Sequence, residues 1–133
     1  MANPFETHGM FSWFELVTDS QEGAKGFYEA LLGWEFVQDS NNPDYTLIMS
    51  PHNPMPIAGV IEKKSLLSEN KAIPSYWGCY ITVASLEGVL THVERLGGRI
   101  VVPATPIPKV GIFGVIQDPQ GAVVALMEYQ LEG

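Results

Sequence analysis

The sequence predicts an α+β fold built from two paired βαβββ modules, and three observations carry that expectation. One pattern is stated twice, about 65 residues apart. Phe14-Glu15-Leu16-Val17-Thr18-Asp19-Ser20 returns as Cys79-Tyr80-Ile81-Thr82-Val83-Ala84-Ser85, and the stop at Leu31 and Gly33 returns at Leu96 and Gly98. Each copy holds one amphipathic helical segment, opened by a serine and closed by glycine. Each helix follows one alternating strand and precedes several more. Two copies of one unit pair most simply about a pseudo-two-fold axis, and the surface between them becomes a shared cleft. Function is expected there.

The first strand lies near residues 11–17. Alternation sets Phe14 and Leu16 on one side and Phe11, Trp13 and Glu15 on the other. The uniformly apolar side is expected under the helix, and the mixed side toward the cleft. Ser20 is a good N-cap, Glu22 suits the positive end of the helix dipole, and Gly33 suits the residue after the C-cap. Between them Ala24, Phe27, Tyr28, Leu31 and Leu32 form one apolar stripe that needs a surface to lie on. Strands near 34–38, 45–50 and 57–61 follow, with a turn at Asn41-Asn42-Pro43-Asp44.

Residues 63–76, with Lys63, Lys64, Ser68, Asn70 and Pro74, read as a linker. The second module then repeats the first. A strand near 78–83 sets Cys79, Ile81 and Val83 against Gly78, Tyr80 and Thr82. A helix capped by Ser85 carries Val89, Leu90, Val93 and Leu96 and stops at Gly97-Gly98. Strands near 99–102, 111–117 and 122–129 complete it, with a turn at Asp118-Pro119-Gln120-Gly121. The proline-rich stretch 103–111 is expected to be a loop at the mouth of the cleft. Residues 1–133 thus read as a single domain, with module one at about 10–62 and module two at about 77–130.

Composition excludes several function classes. Apolar residues make up 46% of the chain and charged residues 17%, the balance of a globular domain rather than a disordered one. A net charge of −8 argues against nucleic acid, because phosphate contacts need a basic face. The acid is concentrated early: residues 1–70 carry three basic and ten acidic side chains, whereas residues 71–133 carry four and five. That asymmetry, with cleft openings that need covering, suggests a homodimer. Cys79 stands alone, so no internal disulfide is possible, and no basic-then-apolar leader opens the chain. A cytoplasmic location is expected. The longest apolar run, residues 122–127, is too short to cross a membrane.

The order of Phe27-Tyr28-Glu29-Ala30-Leu31-Leu32-Gly33-Trp34, then Val93-Glu94-Arg95-Leu96-Gly97-Gly98, then Asp118-Pro119-Gln120-Gly121-Ala122 resembles the vicinal oxygen chelate superfamily. That group includes glyoxalase I, extradiol dioxygenases and the bleomycin-resistance proteins. Trp13-Phe14-Glu15-Leu16 and Pro106-Ile107-Pro108-Lys109-Val110-Gly111 resemble a glyoxalase-like branch of it. The resemblance implies that the two modules form a cup, an incompletely closed barrel of mixed sheet. It also implies a divalent metal held by His, Gln or Glu at the start of strands one and five, and by Glu in the closing strands. Those positions fall here on Ser12 or Trp13, on Gly78 and on Ala125, and the strand from Tyr45 to Met49 offers no carboxylate or imidazole. Hard cations need several strong ligands at once, so no metal and no cofactor are expected.

Glu15 is the candidate catalytic residue: a mid-strand carboxylate beside Trp13 can act as a general base if its surroundings raise its pKa, or it can be structural. Trp13, Tyr80 and Phe113 are candidate ligand-binding walls, completed by Thr82 and Met127. His8, His52 and His92 lie on a tail, a loop and a helix, a poor set for converging on one ion. Cys79 is expected under the second helix as a small apolar residue. Two functions remain open. One is a metal-independent protein that encloses a small, partly aromatic molecule in the cup. The other is a lyase, isomerase or dioxygenase that uses Glu15 as base, or a metal with non-standard ligands.

Overall fold

The computed structural model describes residues 2–66 and 74–130. Its elements repeat the expected order twice. The first copy is β1 (Phe11–Thr18), α1 (Gln21–Leu32), β2 (Glu35–Asp39), β3 (Asn42–Met49) and β4 (Ala58–Glu62). A four-residue helix α2 (Lys63–Leu66) follows. The second copy is β5 (Tyr76–Thr82), α3 (Leu86–Val93), β6 (Arg99–Ile107), β7 (Gly111–Gln117) and β8 (Val123–Tyr129). The chain is therefore α+β with two βαβββ copies. Of the expected linker, Ser68 and Asn70 lie outside the described residues, while Tyr76 already belongs to β5.

Two compact units emerge, and they do not divide where the sequence repeat does. The first is Trp13–Gly78; the second joins Met1–Ser12 to Cys79–Gly133. In the first, the strands run in the order β2-β3-β4-β1, with β1 and β4 parallel and the other pairs antiparallel. In the second the order is β5-β8-β7-β6, with β5 and β8 parallel. Parallel neighbours need a crossover, and each helix lies on that crossover.

Helix starts are fixed by the residues that the sequence marks. Ser20 Oγ accepts from Gly23 N–H at 3.0 Å, and Ser85 Oγ accepts from Gly88 N–H at 3.1 Å. Gly33 ends α1 in the left-handed conformation, φ 73°. A second device, unmarked in the sequence reading, also repeats. Glu62 Oε2 accepts from the Gln21 N–H at 3.1 Å, and Glu128 Oε1 accepts from the Leu86 N–H at 2.9 Å. Each copy thus sends a closing-strand carboxylate to the first N–H of its own helix, where backbone donors lack partners. Such a cap contributes about 1 kcal/mol.

Each sheet has one face under its helix. In the first unit Leu16, Phe36, Ile48, Ala58 and Val60 form the core, with Ala24 and Tyr28 of α1 packed on it. In the second, Val83, Leu86 and Leu126 play that part, joined by Ile81, Val89 and Leu90. Helix α1 is less covered than its stripe suggests. Phe27 is 59% and Leu31 61% exposed, and Leu32 and Phe14 are also exposed, because only Ala24 and Tyr28 reach the core. The second helix is shorter than expected. It ends at Val93, and Leu96 lies in the following turn, exposed, before Gly97 turns the chain at φ 96°.

Two expected loops are strand instead. Of the 103–111 stretch only residues 108–110 form a turn, since β6 continues through Pro103 and Pro106 to Ile107 and pairs with β7. Its register shifts twice, and β6 is the edge strand, where a missing N–H costs no ladder bond. Asn42 and Pro43 likewise belong to β3, leaving a two-residue turn at Ser40 and Asn41.

Candidate functional site

In the first unit the face turned away from α1 carries Trp13, Glu15 and Val17 from β1. Register then fixes their neighbours: Glu15 is paired with Gly59 on β4, and Gly59 with Leu47 on β3. Glu15 is only 5% exposed. Gly59 has no Cβ, and the end of the Tyr45 ring takes the vacant space. A Cβ built at Gly59 would lie 2.2 Å from Tyr45 Cζ, far inside contact distance. The Tyr45 hydroxyl accepts the Trp13 indole N–H at 2.8 Å, which locks both rings.

A second glycine repeats the arrangement on the other side of Glu15. A Cβ at Gly78 would meet Tyr76 Cε2 at 3.4 Å and the Glu15 carbonyl oxygen at 3.8 Å. Two tyrosine rings, each laid along a glycine, therefore flank one buried carboxylate, with Trp13 beside it. Trp13, Tyr45 and Tyr76 are half-buried.

Burial, and then the nearby Glu15 carboxylate, push the Tyr76 phenol above its usual value of 10.0. The folded chain thus holds this proton more tightly than the unfolded chain does. The resulting stability is complete below about pH 10 and is lost as pH rises through the raised value. In an alkaline absorbance titration, Tyr76→Phe should remove one equivalent from the late-ionising tyrosines. A loss from the early-ionising group instead would contradict this placement.

The second unit holds the other expected ligand-binding residues. Thr82, Met127 and Phe113 are register neighbours across β5, β8 and β7, and Tyr80 lies on the same face, opposite Ala125. The Tyr80 and Phe113 ring centroids are 6.4 Å apart. All four side chains are buried. The N-terminal segment lies against this unit. Thr82 Oγ1 donates to the Pro4 carbonyl at 2.6 Å, Thr82 N–H to the Met10 carbonyl, and Phe5 meets Tyr129 edge-on at 5.1 Å. The Thr82 hydroxyl is therefore already engaged. Within its own unit Glu15 has Trp13 beside it, but Tyr80, Thr82, Phe113 and Met127 belong to the other unit. Tyr45 and Tyr76 are the residues that sequence reasoning missed.

The histidines are structural or exposed. His8 Nδ1 accepts from Ala84 N–H, and His92 is hydrogen-bonded to Arg95 on an exposed helix surface. Cys79 is half-buried. A shallow apolar groove of about 420 Å³ between α3 and the β7–β8 turn is lined by Val89, Leu96, Ile116 and Pro119, with no titratable group beyond His92, Arg95 and Asp118. It belongs to the second unit, whereas Glu15 belongs to the first.

The positions at which the resemblance places metal ligands do not fit a divalent ion. Trp13 is hydrogen-bonded to Tyr45, Gly78 has no side chain and Ala125 is apolar. Ser12 offers a hydroxyl, but it is bonded to the Tyr129 hydroxyl at 2.8 Å. Both closing-strand glutamates that follow, Glu62 and Glu128, point to the opposite face and cap helices. Among the described residues, no group of three or more His, Cys, Asp or Glu could hold a metal ion. Nor is any helix among them long and apolar enough to cross a membrane.

Solved structures share this architecture. The methylmalonyl-CoA epimerase of Mycobacterium tuberculosis matches with a TM-score of 0.61 at 17% identity, covering 98% of this chain and 93% of that one. The Mn(II)-bound glyoxalase of Novosphingobium aromaticivorans matches at 0.55 and 12% identity, covering 92% of this chain and 42% of that one. At such identities the likeness shows the fold alone. Curated relatives are closer in sequence. CFP32 of Mycobacterium tuberculosis, which carries the name of a candidate glyoxylase, is 26% identical over 122 residues, covering 90% of this chain and 44% of CFP32. The anthracycline biosynthesis protein DauV of Streptomyces sp. (strain C5) is 28% identical over 120 residues, covering 90% of this chain and 42% of DauV. The chain spans less than half the length of these curated relatives. The twice-stated βαβββ order agrees with a family sequence pattern that matches residues 10–126, and the chain belongs to the Glyoxalase/Bleomycin resistance protein/Dioxygenase superfamily.

Proposed function

We propose that the chain binds a small, partly aromatic molecule on the helix-free face of its first unit, without a metal. One observation carries this reading. A buried carboxylate, Glu15, is framed by Trp13, Tyr45 and Tyr76, while the family's ligand positions hold side chains that cannot coordinate a hard cation. Aromatic walls with a few fixed polar groups are the usual lining of small-molecule sites. The purified chain should contain no stoichiometric Ni, Zn, Fe or Mn and gain no thermal stability from added divalent ions. A ligand that binds only the native state must raise its stability, so an aromatic ligand should do so. Glu15→Gln should keep the melting temperature and weaken that ligand response. A metal at near-unit occupancy, or a mutant that melts lower but binds unchanged, would overturn the reading.

A second reading is favoured by the pairing of Glu15 with Tyr76. A carboxylate base next to a phenol kept protonated suits proton abstraction beside a carbonyl, with the phenol donating to the developing oxyanion. This would make the chain a lyase or isomerase, and Tyr76→Phe would then lower kcat more than it weakens binding.

We also propose a homodimer. Exposed Phe14, Phe27, Leu31 and Trp77 leave apolar surface on the first unit, and the longer relatives have room for a second copy in one chain. Light scattering should give twice the chain mass; a monomer at high concentration would refute it.

A further inference from the structure

We propose that the groove of the second unit, between α3 and the β7–β8 turn, binds a small amphipathic carboxylate whose head group is held by Arg95. Glu15 belongs to the other unit, so either reading can fail without the other.

The groove offers an apolar body and a charged head. Val89, Leu96, Ile116 and Pro119 line the body, and its volume of about 420 Å³ lies in the range that small molecules fill. Leu96 is 66% exposed, an apolar side chain left uncovered at the rim. Two glycines bring the walls together. Gly97 has φ 96°, and a Cβ there would lie 3.3 Å from Pro119 Cγ; a Cβ at Gly98 would lie 2.7 Å from the Gln117 carbonyl oxygen. This side of the groove is fixed by backbone, so little ordering is needed before a ligand enters.

The charges suit an anion. Arg95 Nη2 donates to His92 Nδ1 at 2.7 Å, and Arg99 Nε donates to Gln117 Oε1 at 3.2 Å. His92, Arg95 and Gln117 all line the groove. Both guanidinium groups are thus oriented by neutral partners, whereas lysines of the first unit have carboxylates: Lys25 with Glu29, Lys63 with Asp19 and Lys64 with Glu62. A guanidinium has five N–H donors, and those not used on the neutral neighbour suit a planar carboxylate. Two features oppose an anion, and both are engaged elsewhere. Asp118 lines the groove, but its Oδ1 accepts the Gln120 and Ala122 N–H groups, each at 2.9 Å, within its own turn. At the negative end of α3 the carbonyls of His92, Val93 and Glu94 accept from the Leu96, Gly98 and Gly97 N–H groups. An amine would meet Arg95 with like charge, and an alcohol would gain the apolar body alone.

Octanoate, octanol and octylamine share one chain and differ in charge. Calorimetry on the full-length protein, below the concentrations at which they form micelles, should find octanoate about tenfold or more tighter than octanol, with octylamine weakest. Amide NMR shifts should place octanoate at Gly97 and Gly98. Arg95→Gln should bring octanoate to within about twofold of octanol and leave octanol unchanged, and Leu96→Ser should weaken both alike. Arg95 and Leu96 are exposed, so both variants should fold. Glu15→Gln should leave octanoate binding as it is. Equal binding of the three probes, or a preference that survives Arg95→Gln, would overturn the role of Arg95. Octanoate that fails to bind, or that shifts only amides of residues 13–78, would overturn the site and leave the reading of Glu15 untouched. A dimer that either groove variant converts to monomer would assign the groove to a second copy and overturn the inference as well.

Discussion

Replacing Gly111 with alanine should destabilise the second unit by roughly 3–5 kcal/mol, the largest effect expected of any single methyl group in this chain. Gly111 opens β7 with φ 151°, a conformation that side chains rarely adopt. A Cβ there would lie 2.1 Å from the Glu128 carbonyl oxygen, 2.9 Å from Tyr129 Cα and 3.0 Å from the Glu128 carbonyl carbon. All three are backbone atoms of β8, the strand to which Gly111 is paired, so no side chain can swing aside. The same strand presents Glu128 to the start of α3, and the damage should spread to that helix. For a chain of this size the melting temperature should fall by about 10 °C or more. Gly26→Ala is the control. Nothing lies within 4 Å of its Cβ position in the middle of α1, so that change should stabilise by about 0.5–1 kcal/mol. Melting of Gly111→Ala within a degree or two of the parent would refute the close approach of β7 to β8.

Gly59→Ala should have the opposite signature, a small loss of stability and a large loss of binding. The atoms in its way, the Tyr45 hydroxyl, Cζ and Cε2, belong to the far end of a side chain that can rotate out. Rotation breaks the hydrogen bond to Trp13, at a cost of about 1 kcal/mol, and uncovers one side of Glu15. Affinity for an aromatic ligand should then drop at least tenfold, about 1.4 kcal/mol. Trp13 fluorescence should shift as its indole N–H turns to water. Unchanged affinity with Tyr45 displaced would remove Tyr45 from the site.

Much of the fold was legible because its signals are local. Ser20 and Ser85 cap helices whatever else the chain does, and alternation alone put Leu16 under α1 and Glu15 on the other face. What was missed depended on neighbours distant in sequence. Pro103 and Pro106 read as loop because their tolerance comes from β6 being at a sheet edge, a tertiary fact. The stripe of α1 needs a surface to lie on, yet periodicity tells which residues share a face and not how far the core beneath extends. The candidate site was half legible. Trp13 and Glu15 follow from one strand, but Tyr45 reaches them from β3 and Tyr76 sat in an assumed linker. A signal was present in Gly59 and Gly78: a glycine inside a strand often marks a place where a bulky group lies against the backbone.

The assignment of residues 1–12 to the second unit bears on the order in which the protein can fold. Trp13–Gly78 is contiguous, so it can close as soon as it leaves the ribosome, while the rest is still being made. The second unit cannot. Met10 and Gly9 bond to Thr82, and His8 to Ala84, so residues 8–10 must wait until residues 82 and 84 have been made. Until then, apolar Phe5, Met10 and Phe11 have no second unit to meet. Residues 1–12 therefore settle later than the unit that follows them in sequence, and a chaperone would compete for them during synthesis.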